Sequence, residues 1–197
     1  MSTVIKGREA EKAPPQKKEI WDKFARVQRP ILNEREEWRN SEIGQQRLTE
    51  LLKQLKSKDK EERSQAAKAI GDLGYWKAID ALLDTLKQEK ELRVKKSIVT
   101  ALSDIGEELF PEHAAWAKEL ISSGTGFRTR EMLIDVIKKE NDIEIVEKAA
   151  IALGYYYIFW GDAEKILTEL HEEAEAQGRS SEILRAIWGP ISENAVR

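Results

Sequence analysis

Apolar residues recur along this chain at three- and four-residue intervals, and no segment shows the strict alternation of a half-buried strand. The clearest stripe appears three times, at residues 59–71 (DKEERSQAAKAIG), 91–103 (ELRVKKSIVTALS) and 142–154 (DIEIVEKAAIALG). Ala66, Ala67, Ala69 and Ile70 of the first copy fall on Ile98, Val99, Ala101 and Leu102 of the second, and on Ala149, Ala150, Ala152 and Leu153 of the third. Small and branched residues at this spacing predict a helix packed along one face. Recurrence of that helix after a second amphipathic one predicts a helical solenoid. Ala69 and Ala101 are the positions where paired helices are expected to approach closely.

The remaining pattern divides the chain. Residues 1–18 lack periodicity and contain Pro14 and Pro15, which predicts a disordered basic arm. Residues 19–40 read as an N-terminal helical extension. Its stripe of Ile20, Phe24, Val27 and Ile31 is kinked or ended by Pro30, and a charged helical stretch over 33–40 follows. The repeat domain occupies 41–197. Ile43, Leu48, Leu51, Leu52 and Leu55 predict an outer helix. The first repeated stripe gives an inner helix over about 61–73, stopped by Gly74. Ile79, Leu82, Leu83 and Leu86 give the next outer helix and 94–105 the next inner one, with Gly106 in the role of Gly74. Pro111 opens a helix carrying Ala115, Trp116 and Leu120. Met132, Leu133, Val136 and Ile137 are assigned to a further, degenerate inner helix. An unusually long helix is expected over 143–160, then one with Ile166, Leu167 and Leu170. The last, with Ile183, Leu184, Ile187 and Trp188, is expected to stop at Gly189 and Pro190.

Residues 59–86 (DKEERSQAAKAIGDLGYWKAIDALLDTL) resemble HEAT-like repeats, specifically the short phycobilin-lyase type. That family's pattern is an acidic turn, roughly V-R-x-x-A-A-x-A-L-G, a glycine turn and a leucine-rich helix. Asp59, Arg63, Ala66, Ala67, Ala69, Ile70, Gly71 and Gly74 match it. Glu62 departs at the valine position, which Val94 restores in the second copy. The arginine position holds Lys95 in the second copy and Val146 in the third. The resemblance covers about residues 45–190 and implies an all-α, right-handed HEAT-like solenoid with an N-terminal helical extension. The matched residues are packing and turn positions, so function is not carried over with them. The family includes scaffolds, chaperone-like bilin lyases, an iron-dependent hydroxylase and alkylpurine DNA glycosylases.

Composition narrows these classes. Of 197 residues, 35% are charged, which suits slender helices with much exposed surface. Cysteine is absent, so disulfides and thiolate metal sites are excluded and a reducing, cytoplasmic setting is expected. No apolar run reaches membrane-spanning length. Residues 1–60 carry 15 Lys and Arg against 10 Asp and Glu, whereas residues 140–197 carry 5 against 12. A basic front and acidic rear could steer an oriented partner.

The two histidines, His113 and His171, provide one His-Glu pair in the order that the hydroxylase pattern needs, too few for a two-metal site. No metal, cofactor or catalytic residue is therefore expected, and the chain reads as a non-enzyme. Arg128, Arg130, Asp135, Trp116 and Trp188 could be drafted into a glycosylase site. A pI near 5.7 and interleaved charges argue against a nucleic-acid partner.

Trp21, Trp116 and Trp188 fall on apolar stripes and are expected in the core; Trp38 and Trp76 lie nearer charged or turn positions. The run 155–160 (YYYIFW) exceeds what one helix turn can bury. In the repeat register, Lys68, Thr100 and Ile151 form one row across the expected concave face, and Asp72, Asp104 and Tyr155 form another. The third copy breaks both polar rows with apolar groups. Lys68, Thr100, Ile151, Tyr155, Tyr156 and Trp160 are therefore the expected partner-binding residues of a protein-interaction scaffold or assembly factor. The alternatives are a bilin-lyase-like or chaperone-like factor for a pigment-bearing protein, or an alkylpurine DNA glycosylase.

Overall fold

The computed structural model describes residues 34–108, 120, 122–156 and 163–195. The expected arm over 1–18, most of the extension, and the helix opened by Pro111 lie outside them. Two compact units divide the chain at Gln45 and Gln46. In the first, residues 34–40 are helical. The Ser41 hydroxyl donates to the Trp38 carbonyl at 2.6 Å and accepts from the Gly44 amide at 3.2 Å, so one side chain serves two successive helical stretches.

The second unit is an all-α helical solenoid, with no strand among the described residues. Its helices are α1 (Glu42–Gln54, which begins in the first unit), α2 (Lys60–Asp72), α3 (Ile79–Gln88), α4 (Leu92–Glu108), α5 (Thr125–Lys139), α6 (Ile143–Tyr156), α7 (Ala163–Ala176) and α8 (Ser181–Ala195). Helices α2, α4, α6 and α8 pack side by side as an inner row, and α3, α5 and α7 pack in an outer row. One continuous core runs between the rows, built from Leu51, Leu55, Ile70, Leu83, Ile98, Leu102, Leu133 and Leu153 among others. Burying each such side chain contributes roughly 1.5–3 kcal/mol.

Helix starts follow the acidic turn of the repeat. The Asp59 carboxylate accepts from the Glu61 amide at 2.8 Å, and Asp142 accepts from Ile145 at 3.2 Å. Ser180 takes the same place before α8, accepting from Ile183 at 3.4 Å. After α2 the Tyr75 amide reaches back to the Ile70 carbonyl at 3.1 Å, and Gly74 turns the chain with φ 60°. A side chain at that dihedral would be strained.

Five expectations are corrected. Gly106 does not stop a helix; it lies inside α4 and is buried. A Cβ there would come within 3.0 Å of Tyr155 Cβ and the Tyr156 ring, so its role is to let α6 lie against α4. The segment around Met132 and Leu133 is not an inner helix. It is α5, the outer member of the third pair, packed against α3 and α7 as well as α6. Gly189 and Pro190 do not end α8, which continues to Ala195. Proline there removes one amide from the ladder without breaking it. Trp188 is 40% exposed rather than core, tilted against His171 with ring centroids 5.3 Å apart. Ile43, placed on the apolar stripe of α1, is likewise exposed.

The closest approach in the inner row is not at Ala69, which is half-buried, but at Gly71 against Ala101. A Cβ on Gly71 would stand 2.6 Å from the Ala101 Cα and 2.9 Å from its Cβ. Gly154 holds the same repeat position in α6, yet nothing lies within 4 Å of a Cβ built there. Gly71→Ala should therefore lower stability by about 1–3 kcal/mol, because backbone must move. Gly154→Ala should raise it by about 0.5–1 kcal/mol, from helix propensity alone. Urea denaturation of the two variants checks both signs.

Charged groups stitch the turns together. Arg63 of α2 donates through Nε to Glu89 at 2.7 Å and through Nη2 at 3.1 Å, and its Nη1 reaches the Ser57 and Lys58 carbonyls at 3.0 Å each. Glu89 also accepts from the amides of Lys90 and Glu91. One step along, Lys95 pairs with Glu140, and Lys96 reaches Asp142 at 3.1 Å and Glu144 at 2.8 Å. The next step has Val146 where the basic residue would be. There Arg179 instead donates to the carbonyls of Ile137, at 2.5 Å, and Glu140, closing the C-terminus of α5. Burial away from water lowers the Arg179 pKa.

The hydrogen bond from Arg63 holds the Glu89 carboxyl below the usual carboxylate range, against an opposing push from burial. The side chains are 16% and 5% exposed, so Arg63→Ala should cost roughly 2–3 kcal/mol. Because the folded pKa is depressed, the stabilisation is full above the unfolded value of about 4.3 and is lost as pH falls through the folded one. Melting curves of wild type and Arg63→Ala should thus converge at acid pH.

Candidate interaction face of the inner helices

Helices α2, α4 and α6 run parallel and in register. At their N-terminal ends Arg93 pairs with Glu61 at 2.6 Å and Lys96 with Glu144 at 2.8 Å. One turn further, the Ser64 and Ser97 hydroxyls share a hydrogen bond of 2.8 Å. Near their C-terminal ends Asp104 Oδ2 lies 3.2 Å from the space beside Gly71, and Tyr155 lies against Gly106. The residues that project from this row away from the core therefore form a continuous surface across three helices.

Lys68 is exposed on α2, and Thr100 is half-buried on α4. Ile151 and Tyr155 are half-buried on α6. These four share the face. Tyr156 does not: it is 0% exposed, its ring packs on Gly106, and burial raises its pKa. With the helix packed it has no surface to offer. The repeat register carried the signal that separates it from Tyr155: Tyr155 aligns with the polar Asp72 and Asp104, whereas Tyr156 aligns with Leu73 and the buried Ile105. Trp160 lies outside the described residues.

Asp104 is the residue whose environment matters more than the sequence indicated. Burial raises its pKa; Lys148 opposes that shift, while Asp72, Glu107 and Glu108 reinforce it. The folded pKa stands above the unfolded one, so the charged carboxylate costs stability at neutral pH, and that cost disappears as pH falls through the folded pKa. Asp104→Asn should accordingly raise the melting temperature at pH 7, by an amount that shrinks on acidification. Differential scanning calorimetry across that range reads both.

The face offers hydrogen-bonding, charged and apolar groups. Among the described residues no group of three His, Cys, Asp or Glu could hold a metal ion. Arg128, drafted above for nucleic-acid chemistry, is committed to Asp80 at 2.7 Å and Asp84 at 2.8 Å, joining α5 to α3. Of the described helices, none is long and apolar enough to cross a membrane.

Residues 48–138 match the family model of HEAT repeats, so the stretch that holds α2 to α5 is built of HEAT-like repeats. Beyond it, α6 and α8 continue the same inner row. Comparison with curated proteins and comparison with solved structures gave no match.

Proposed function

We propose that this chain is a non-enzymatic protein-interaction scaffold or assembly factor that binds a protein partner through the exposed face of its inner helices. HEAT repeats commonly serve protein–protein interaction, and the match of residues 48–138 to that family supports the reading. The observation that carries the reading is the break in the polar rows. Lys68 and Thr100 are what a solvated repeat position calls for, whereas Ile151 and Tyr155 put apolar surface at the same positions of α6 while remaining part-exposed. Ala149, Ala150, Ala152 and Leu153 supply the buried contacts of α6, and Tyr155, which touches Gly106 through its Cβ, stays half-buried. Apolar and aromatic groups flanked by polar ones are the usual centre of a binding surface. Asp59, Arg63 and Gly74 stand at cap, ladder and turn, in keeping with the short phycobilin-lyase type of repeat. Lys68, Thr100, Ile151 and Tyr155 are the proposed contact residues.

Affinity capture with mass spectrometry tests the proposal. Ile151→Ser with Tyr155→Ser should lose a stoichiometric partner that the parent chain recovers, while helical circular dichroism and melting temperature stay close to the parent's. A folded variant that still recovers the same partner would overturn the assignment of the site.

A further inference from the structure

The α7–α8 pair presents an apolar seam flanked by charge of one sign. A short turn over 177–180 joins the two helices, so they run antiparallel. His171 of α7 lies against Trp188 of α8, and this register sets Glu175 opposite Leu184. Leu184 and Trp188 are four residues apart and share a face of α8; Leu184 is half-buried and Trp188 is exposed. A part-exposed tryptophan beside a leucine is the kind of group that anchors interfaces. Glu164, His171 and Glu175 share the facing side of α7 by the same helical spacing. Of the α7 carboxylates, Glu169 meets Lys165 and Glu173 meets Lys138. Glu164, Glu172 and Glu175 are exposed and pair with no Lys or Arg among the described residues. Residues 163–195 as a whole carry seven Asp and Glu against three Lys and Arg, and one of those three, Arg179, is committed to the carbonyls that end α5.

The complementary chemistry stands in the same chain. Residues 17–29 (KKEIWDKFARVQR) carry five Lys and Arg against two Asp and Glu, and Ile20, Phe24 and Val27 recur at helical spacing between those cations. A stripe of this kind suits an apolar seam between two helices, and the charges beside it select the partner. We propose that residues 17–29 of a second copy dock on the α7–α8 face, with their apolar stripe over Leu184 and Trp188 and their Lys and Arg side chains against Glu164, Glu172 and Glu175. Charge complementarity selects this occupant: the segment is +3 and residues 163–195 are −4 at neutral pH. The contact joins two different patches, so it is heterologous, and further copies add head to tail. It does not involve Ile151 or Tyr155 and stands apart from the scaffold reading.

Sedimentation velocity of the full chain over a concentration series tests this. The parent should associate as concentration rises, and added salt should weaken the association. Two variants each remove one half of the contact: Trp188→Ser with Glu175→Lys on the face, and Phe24→Ser with Arg26→Glu on the segment. Each alone should stay monomeric where the parent associates, with helical circular dichroism unchanged. Mixed, they should form a complex of two chains and no larger, because one intact segment then meets one intact face. Glu175→Lys alone, at an exposed position, should weaken association about fivefold, and it keeps the test decisive if a double variant does not fold. A parent that is monomeric at every concentration, as when the segment docks on its own chain or another protein fills the face, overturns the proposal. So does a parent dimer that the mixture does not restore, which marks an isologous contact, or association that Glu175→Lys leaves unchanged.

Discussion

The inner row depends on how near α2 can lie to α4. At Gly71 and Ala101 the two helices meet with room for no further carbon, and at Gly106 the next pair does the same against Tyr155 and Tyr156. Side chains of ordinary size at these points would push the helices apart and open the stripe of Ile70, Ile98, Leu102 and Leu153 that closes the core. Close approach also fixes what else can happen along the row. It brings the turn of each repeat within reach of the basic residue one repeat earlier, so that Arg63 finds Glu89 and Lys95 finds Glu140. Register, rather than the energy of any single exposed pair, is what these ladders add. They hold the faces of α2, α4 and α6 as one surface.

Much of this was legible in the sequence because repetition exposes it. The aligned copies located α2, α4 and α6, the acidic caps at Asp59 and Asp142, and the turn at Gly74. The signal weakened wherever two different physical demands select the same residue. Glycine ends helices and also permits contact between them, so Gly106 reads like Gly74 until the neighbouring helix is seen. An apolar stripe marks an inner or an outer helix alike, so the row to which α5 belongs followed only from its packing against α3 and α7. The exposure of Trp188 was hidden for a similar reason: helical periodicity marks an apolar stripe but does not register whether a neighbour covers it.

The candidate face was legible in part. Lys68, Thr100, Ile151 and Tyr155 emerged from the register alone, since aligned positions on stacked helices must be neighbours. Tyr156 did not belong with them: the same register aligns it with Leu73 and Ile105, and it is buried as Ile105 is. Asp104 gave no signal of its own, because charged residues are common throughout this chain and only its partial burial sets it apart. The face therefore combines closely packed helices with one carboxylate, Asp104, whose burial disfavours its charged form.

The claim on which the rest stands is that α2, α4 and α6 behave as a single mechanical unit. Native-state hydrogen exchange, followed by mass spectrometry across a range of denaturant, reads this directly. Core amides of the three helices should exchange with one common opening free energy and respond to denaturant together. Opening of α2 alone, well below the free energy at which α4 and α6 open, would contradict it, because the close contact at Gly71 and the Arg63 ladder would then not be holding the row in register.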